Sequence, residues 1–258
     1  MHGRATAPAP GPSSRFAAAR MHIQPAHTQR RKSHAMNVSP DIIQQLTSGV
    51  VFTGRLEQDI PALLGHHDCH RTAVHTAAVA AEASRLAKMA GQNPNQAEQA
   101  GWLHDISAVI PPDDRIAAAK AWSVPVLPQE EAFPLIVHQK LSAYMAQWIF
   151  GVSDNEVLDA IGCHTTLRAH ATELDTVIFV ADKIKWDLDN DPPYLDSLLD
   201  ALSVSLDAAA YAYVDYMWRR RHELRVIHPW LIEAHEYLAH KLSRNVPKEN
   251  QRNSAQSA

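Results

Sequence analysis

The chain has 258 residues, with 24 Lys and Arg against 28 Asp and Glu, a formal net charge of −4. That balance supplies no overall basic field to attract nucleic acid, and no apolar run approaches the roughly 18 residues of a bilayer span. Two cysteines, Cys69 and Cys163, form no CxxC pair, which points to reduced thiols in a cytoplasmic protein rather than a disulfide framework or a thiolate metal site.

Residues 1–36 differ in composition from everything after them. They hold Arg4, Arg15, Arg20, Arg30, Arg31 and Lys32, no acidic residue, and the run Ala7-Pro8-Ala9-Pro10-Gly11-Pro12-Ser13-Ser14. Such a segment cannot bury enough apolar surface to order itself, so a disordered basic extension is expected. A transit peptide has a similar arginine-rich, acid-free composition, and a start at Met21 or Met36 would also account for it. One helical domain is expected over 37–245, followed by a disordered tail over 246–258.

From Asn37 the periodicity is helical. Ser39-Pro40-Asp41 has the form of an N-cap with proline in the first turn, opening a helix to about Ser48. Cys69–Ala90 is an alanine-rich helix ended by Gly91. Asn93-Pro94-Asn95 caps another that reaches about Val109, where Pro111-Pro112 stop it. Further helices are expected over 113–121, 129–150, 153–165, 173–188, 193–224 and 228–243. Val177–Val180 is the one β-branched run, and it suits a buried helix equally well. The fold class is all-α.

Sixteen histidines are the outlying count, but four (His2, His22, His27 and His34) lie in the basic extension. The others matter by position. His104 and Asp105 are adjacent, and neighbouring helical residues diverge by about 100°, so both reach one ion only near a helix end. His75 sits in the alanine-rich helix, His138 follows Leu135-Ile136-Val137, and His164 follows Ile161-Gly162-Cys163. Asp182 interrupts Val177-Ile178-Phe179-Val180-Ala181, where an unpaired carboxylate would be costly. Each alone suits a hydrogen-bonded core residue. Together, imidazoles and carboxylates on successive helices favour a transition metal such as Fe, Mn, Co, Ni or Zn.

The order His75, His104-Asp105, His138, His164, Asp182 resembles the HD-domain superfamily of metal-dependent phosphohydrolases, and most closely its YqeK-like branch of symmetrical dinucleoside tetraphosphatases. The stretches that carry the likeness are His75-Thr76-Ala77-Ala78-Val79, Ala100-Gly101-Trp102-Leu103-His104-Asp105-Ile106, Ile136-Val137-His138, Ala160-Ile161-Gly162-Cys163-His164-Thr165 and Phe179-Val180-Ala181-Asp182-Lys183-Ile184. They span about residues 70–240. The resemblance implies an HD-domain helical bundle with two divalent or mixed-valence transition metal ions, iron foremost. His75, His104, Asp105 and Asp182 would hold one ion, and Asp105, His138 and His164 the other, with Asp105 bridging and orienting the attacking hydroxide. The implied substrate is a nucleotide polyphosphate, foremost a dinucleoside tetraphosphate cut symmetrically to two nucleoside diphosphates. Another nucleotide phosphate ester, or a nucleotide-binding sensor without turnover, are the alternatives.

The departures fall outside the six ligands. The resemblance leads one to expect lysine at HD-x-x-K, where this chain has Ala108. An acidic residue, a proline and an arginine are expected where Lys185-Trp186-Asp187-Leu188 stand. No glycine follows His164-Thr165 closely, and Thr166-Leu167-Arg168 runs on instead. Lys183, Lys185 and Arg168 are therefore candidates for binding substrate, with Lys183 and Thr165 also candidates for catalysis, whereas Arg115 reads as a solvated surface charge. Trp186 and Tyr194 suit either base stacking or the core. His66, His67 and His70 read as loop polarity, and His228-Pro229-Trp230 as a helix start with a packing anchor.

Overall fold

The computed structural model describes residues 42–186 and 192–244. The extension 1–36, the tail 246–258, the Ser39-Pro40-Asp41 cap, and Asp187 and Leu188 lie outside those residues. Among the described residues every regular element is helical: α1 (Ile42–Thr47), α2 (Leu56–His66), α3 (His70–Met89), α4 (Pro94–Leu103), α5 (Arg115–Ala121), α6 (Pro128–Ala132), α7 (His138–Phe150), α8 (Asn155–Cys163), α9 (Glu173–Ile184), α10 (Leu195–Leu202), α11 (Leu206–Arg219) and α12 (Pro229–Arg244), with 3₁₀ turns at Ile106–Val109, Pro112–Asp114 and Arg221–Glu223. No described helix is long and apolar enough to cross a membrane.

The alanine-rich α3 lies against α4 and α9, while α8 packs on α4, α7 and α9. Close approach of α3 and α4 depends on Gly101. A Cβ there would lie 2.5 Å from the Ala80 Cα, backbone that cannot swing aside, so even alanine would push the helices apart. Val177, Ile178, Phe179, Val180 and Ala181 are all buried, and α9 therefore forms the centre of the bundle as a helix, not a strand. Leucine, isoleucine and valine from the surrounding helices complete one core.

Four helix boundaries differ from the periodicity. The helix α2 was not expected, because Pro61 falls inside it and hides the pattern; His66 ends it and His70 opens α3, so these histidines border a tight turn. The expected helix over 129–150 divides at Phe133-Pro134. Phe133 has left the helical region at φ −140° and ψ 82°, as the disfavour for α before a proline requires, and α7 then begins at His138. The helix expected over 193–224 divides at Ser205, whose hydroxyl accepts from the Ala208 N–H as an N-cap. Helix α4 ends at Leu103, earlier than Pro111-Pro112 suggest, leaving His104 as its C-cap and Asp105 at φ −116° and ψ 17°.

Candidate metal centre

Six side chains from five helices meet at one end of the bundle. His75 comes from the first turns of α3, and Asp182 from the last turn of α9. His104 and Asp105 follow the end of α4, His138 opens α7, and His164 caps α8. The placement at helix ends answers the divergence of neighbouring helical side chains: out of regular helix, His104 and Asp105 turn to the same point.

The atoms that converge are ring Nε2 and carboxylate oxygens. His75 Nε2 lies 3.1 Å from His104 Nε2 and 3.0 Å from Asp182 Oδ1. His138 Nε2 lies 3.0 Å from His164 Nε2. Asp105 divides its oxygens between the two groups. Its Oδ1 is 3.1 Å from His138 and 3.4 Å from His164, while Oδ2 is 3.7 Å from His104 and 4.0 Å from His75.

One device orients three of the rings. His104 Nδ1 donates to the Gly101 carbonyl (2.8 Å), His164 Nδ1 to that of Ile161 (2.8 Å), and His138 Nδ1 to that of Leu135. A carbonyl can only accept, so each Nδ1 carries a proton, and the neutral form of each ring has its Nε2 lone pair facing inward. Burial pushes the His164 pKa down to about 4, against the pull of Asp105, so this ring is neutral near pH 7. Burial alone would raise Asp105 and Asp182. At Asp182 the Lys183 ammonium opposes it and helps hold that carboxyl well below the usual range. Inward lone pairs on His138 and His164 repel at 3.0 Å unless a cation lies between them. The donor set fits metal ions, with the proton on the far ring nitrogen as metal-ligating histidines carry it. His75, His104 and Asp182 form one group that could hold an ion, and His104, Asp105 and His164 another.

Around this cluster the other expected site residues separate. Lys183 is buried, its Nζ bonded to Asp182 Oδ2 and to the His164 carbonyl (3.1 Å) over the rings of Phe179 and Tyr213. It braces Asp182 from behind, and its ammonium is engaged there rather than free to reach substrate as the sequence suggested. Asp182 raises its pKa despite the opposing effect of burial, and Lys183 stays charged. Arg168 is held by Asp175 (2.9 Å) and Asp159 (3.1 Å), so its guanidinium is committed to ion pairs. Lys185 faces Glu82 at 3.5 Å. The Thr165 hydroxyl is 3.1 Å from His138 Nε2. Tyr194 is buried and donates to the Lys183 carbonyl (3.3 Å), with Trp186 edge-on against it; both are packing residues. Arg115 is not a solvated charge, being only 8% exposed.

Several positioning residues carry no signal in the sequence. Gln139, fully buried, accepts from the Thr165 N–H (2.9 Å) and donates to Thr166 Oγ1 (3.2 Å), tying α7 to the turn after His164. Ser107 donates to the His138 carbonyl (2.8 Å) and accepts from Ser142 (2.9 Å), joining the turn after Asp105 to α7. Serines and glutamines are common, and only the fold brings these together.

The helical bundle thus gathers four imidazoles and two carboxylates into a donor set that could hold metal ions. Residues 72–187 match the HD domain. An uncharacterised protein of the pepC 5′ region of Lactococcus lactis subsp. cremoris is 46% identical over 149 residues, 58% of this chain and 75% of that protein. The symmetrical bis(5′-nucleosyl)-tetraphosphatases of Bacillus subtilis (strain 168) and Staphylococcus aureus (strain NCTC 8325 / PS 47) are 34% identical over 114 residues and 32% over 117. Each match covers 43% of this chain, and it spans 60% and 57% of those enzymes. In fold, the chain is similar to the crystal structure of a predicted HD superfamily hydrolase involved in NAD metabolism from Clostridium acetobutylicum. The TM-score is 0.66 at 23% identity, over 75% of this chain and all of that one. The chain belongs to the HD-domain family. It is a metal-dependent phosphohydrolase.

Proposed function

We propose that the protein is a dinuclear phosphohydrolase that cuts a dinucleoside tetraphosphate symmetrically into two nucleoside diphosphates. The observation that carries the dinuclear reading is the division of Asp105, with Oδ1 toward His138 and His164 and Oδ2 toward His104 and His75. A carboxylate so placed suits a bridge. His75, His104, Asp105 and Asp182 would hold one ion, and Asp105, His138 and His164 the second; the nitrogen and oxygen donor set suits Fe, Mn, Co, Ni or Zn, and the family resemblance puts iron foremost. Bound, such a pair supplies Lewis-acid polarisation of a phosphate oxygen and a lowered pKa for water.

The chain's own residues have distinct roles in this reading. Asp105 sets the spacing of the two groups and aligns the nucleophile. Lys183 neutralises the outer oxygen of Asp182, leaving the inner one to face His75 and His104. The Thr165 hydroxyl donates to His138 Nε2 at 3.1 Å and would turn to a phosphate oxygen once a cation takes that lone pair. The tetraphosphate substrate rests on the likeness to enzymes of that name.

The test is metal analysis of anaerobically purified protein, followed by chromatography of products from a nucleotide panel. Two equivalents of metal and ADP released from diadenosine tetraphosphate are expected. Inertness toward the tetraphosphate with turnover of another nucleotide ester would move the substrate. Nucleotide binding with no cleavage of any kind would make the protein a sensor.

A further inference from the structure

Hydrolysis of a polyphosphate at an acidic cluster requires cations for the phosphoryl oxygens, and most of the nearby ones are already engaged. Lys183 is held by Asp182, Lys185 faces Glu82, and Arg168 lies between Asp159 and Asp175. The turn just after Asp105, Ile106–Val109, contains no basic residue; the position three past Asp105 is Ala108.

Arg115 is different. It is the first residue of α5, more than nine-tenths buried, and its Nε donates to the Ile110 carbonyl at 3.3 Å, drawing the side chain back along the strand of sequence that leaves Asp105. Among the described residues no carboxylate forms an ion pair with it. The bond to Ile110 holds the side chain against the residue that closes the turn after Asp105, and the Asp105 carboxylate favours its charge against the larger, opposing effect of burial. A buried guanidinium without a paired carboxylate is costly to fold around. An arrangement that leaves its planar N–H donors uncommitted beside a phosphohydrolase centre matches what a phosphoryl group would satisfy in two hydrogen bonds.

We propose that Arg115 is the phosphate-binding cation of this site, its guanidinium gripping two oxygens of the phosphoryl group presented at Asp105. The proposal rests on the reading of the cluster as a phosphate-hydrolysing centre, but not on which nucleotide is cut. It also gives a use to Pro111-Pro112. These residues end the turn after Asp105 and start the one that delivers Arg115.

The test compares full-length wild type with Arg115→Met and Arg115→Lys, each assayed for bound metal and titrated calorimetrically with pyrophosphate. Equal metal content is expected in all three. The pyrophosphate Kd should weaken about 10- to 100-fold in Arg115→Met, the loss of charge-assisted hydrogen bonds, and by a smaller factor in Arg115→Lys, which keeps the charge but not the fork. Metal-replete Arg115→Met that binds pyrophosphate as wild type does would overturn the proposal, as would metal-replete wild type that binds none. Should Arg115→Met fail to fold, an unchanged Kd in Arg115→Lys overturns it equally. The substrate reading fails separately: wild type inert toward diadenosine tetraphosphate, with pyrophosphate affinity still lost in Arg115→Met, removes the tetraphosphatase and leaves Arg115 in place.

Discussion

Among the described residues, two of the buried clusters of titratable side chains are built on opposite rules. Around Glu130, donors and acceptors match. The fully buried carboxylate receives Lys140 Nζ and the Leu127 N–H, each at 2.8 Å, with His228 at 3.4 Å. One positive and one negative charge are paired, and the Lys140 ammonium also lies over the Trp230 ring. Around Asp105 the count does not balance. Imidazole lone pairs and carboxylate oxygens face one another, and the ring protons point outward to carbonyls. Burial of polar groups thus does not by itself mark a functional site. A surplus of inward acceptors does, because only cations can satisfy it.

The contrast is broken most severely by removing the central carboxylate of each cluster. Asp105→Ala should lose bound metal and reduce turnover by roughly 10³-fold or more, while the metal-free protein melts close to wild type. Glu130→Ala should do the reverse. Stranding Lys140 and His228 costs about 3 kcal/mol, roughly 6–12 °C in melting temperature for a chain of this size, with kcat of the folded fraction and metal content preserved. Metal analysis, calorimetric melting and initial rates on the two variants check both. A Glu130→Ala protein that loses metal, or an Asp105→Ala protein that is as unstable as Glu130→Ala, would erase the distinction.

Lys183 sharpens the comparison, since among the described residues it is the cation hydrogen-bonded to a carboxylate of the acceptor-rich cluster. Lys183→Met leaves the outer oxygen of Asp182 without its partner and frees it to rotate. Metal affinity should fall about 10- to 100-fold, the usual cost of losing a partner that orients a ligand, as measured by chelator competition. A smaller effect is expected from Gln139→Leu, which leaves the Thr165 N–H buried without its acceptor. That costs about 1–3 kcal/mol in stability and, by letting the His164 turn shift, a few-fold in turnover at full metal occupancy.

The six convergent side chains were legible in the sequence because each is a polar residue in a run that has to be buried. Asp182 ends five apolar residues, and His138 and His164 each follow an apolar step. The need for a helix end at His104-Asp105 was legible too, from the angle between neighbours on a helix. What could not be read was which charges face each other across the bundle. Arg115 follows two aspartates and has the local look of a surface residue, and only the packing of α5 buries it. Glu130 and His228 are 98 positions apart, and nothing in either neighbourhood announces the other. The proline at 134 was visible, yet its consequence, a new helix start that frees the His138 ring to bond the Leu135 carbonyl, depends on where the chain goes next.

The finest separation of the two clusters comes from acid. Burial acts to raise Glu130, but the hydrogen bonds from His228 and Lys140 prevail, leaving its pKa below the ordinary value of 4.5. Ionised Glu130 therefore stabilises the fold fully above pH 4.5, and that stabilisation is lost as pH falls through the depressed pKa. Glu130→Gln keeps the shape but cannot ionise, so the gap in stability between wild type and variant should be constant near neutrality and narrow in acid below pH 4.5. Urea melts of both proteins across that range measure it. A gap that stays constant into strong acid would mean that Glu130 titrates alike in the folded and the unfolded chain. Its charge would then add nothing to the fold, and the contrast with Asp105 would rest on hydrogen bonding alone.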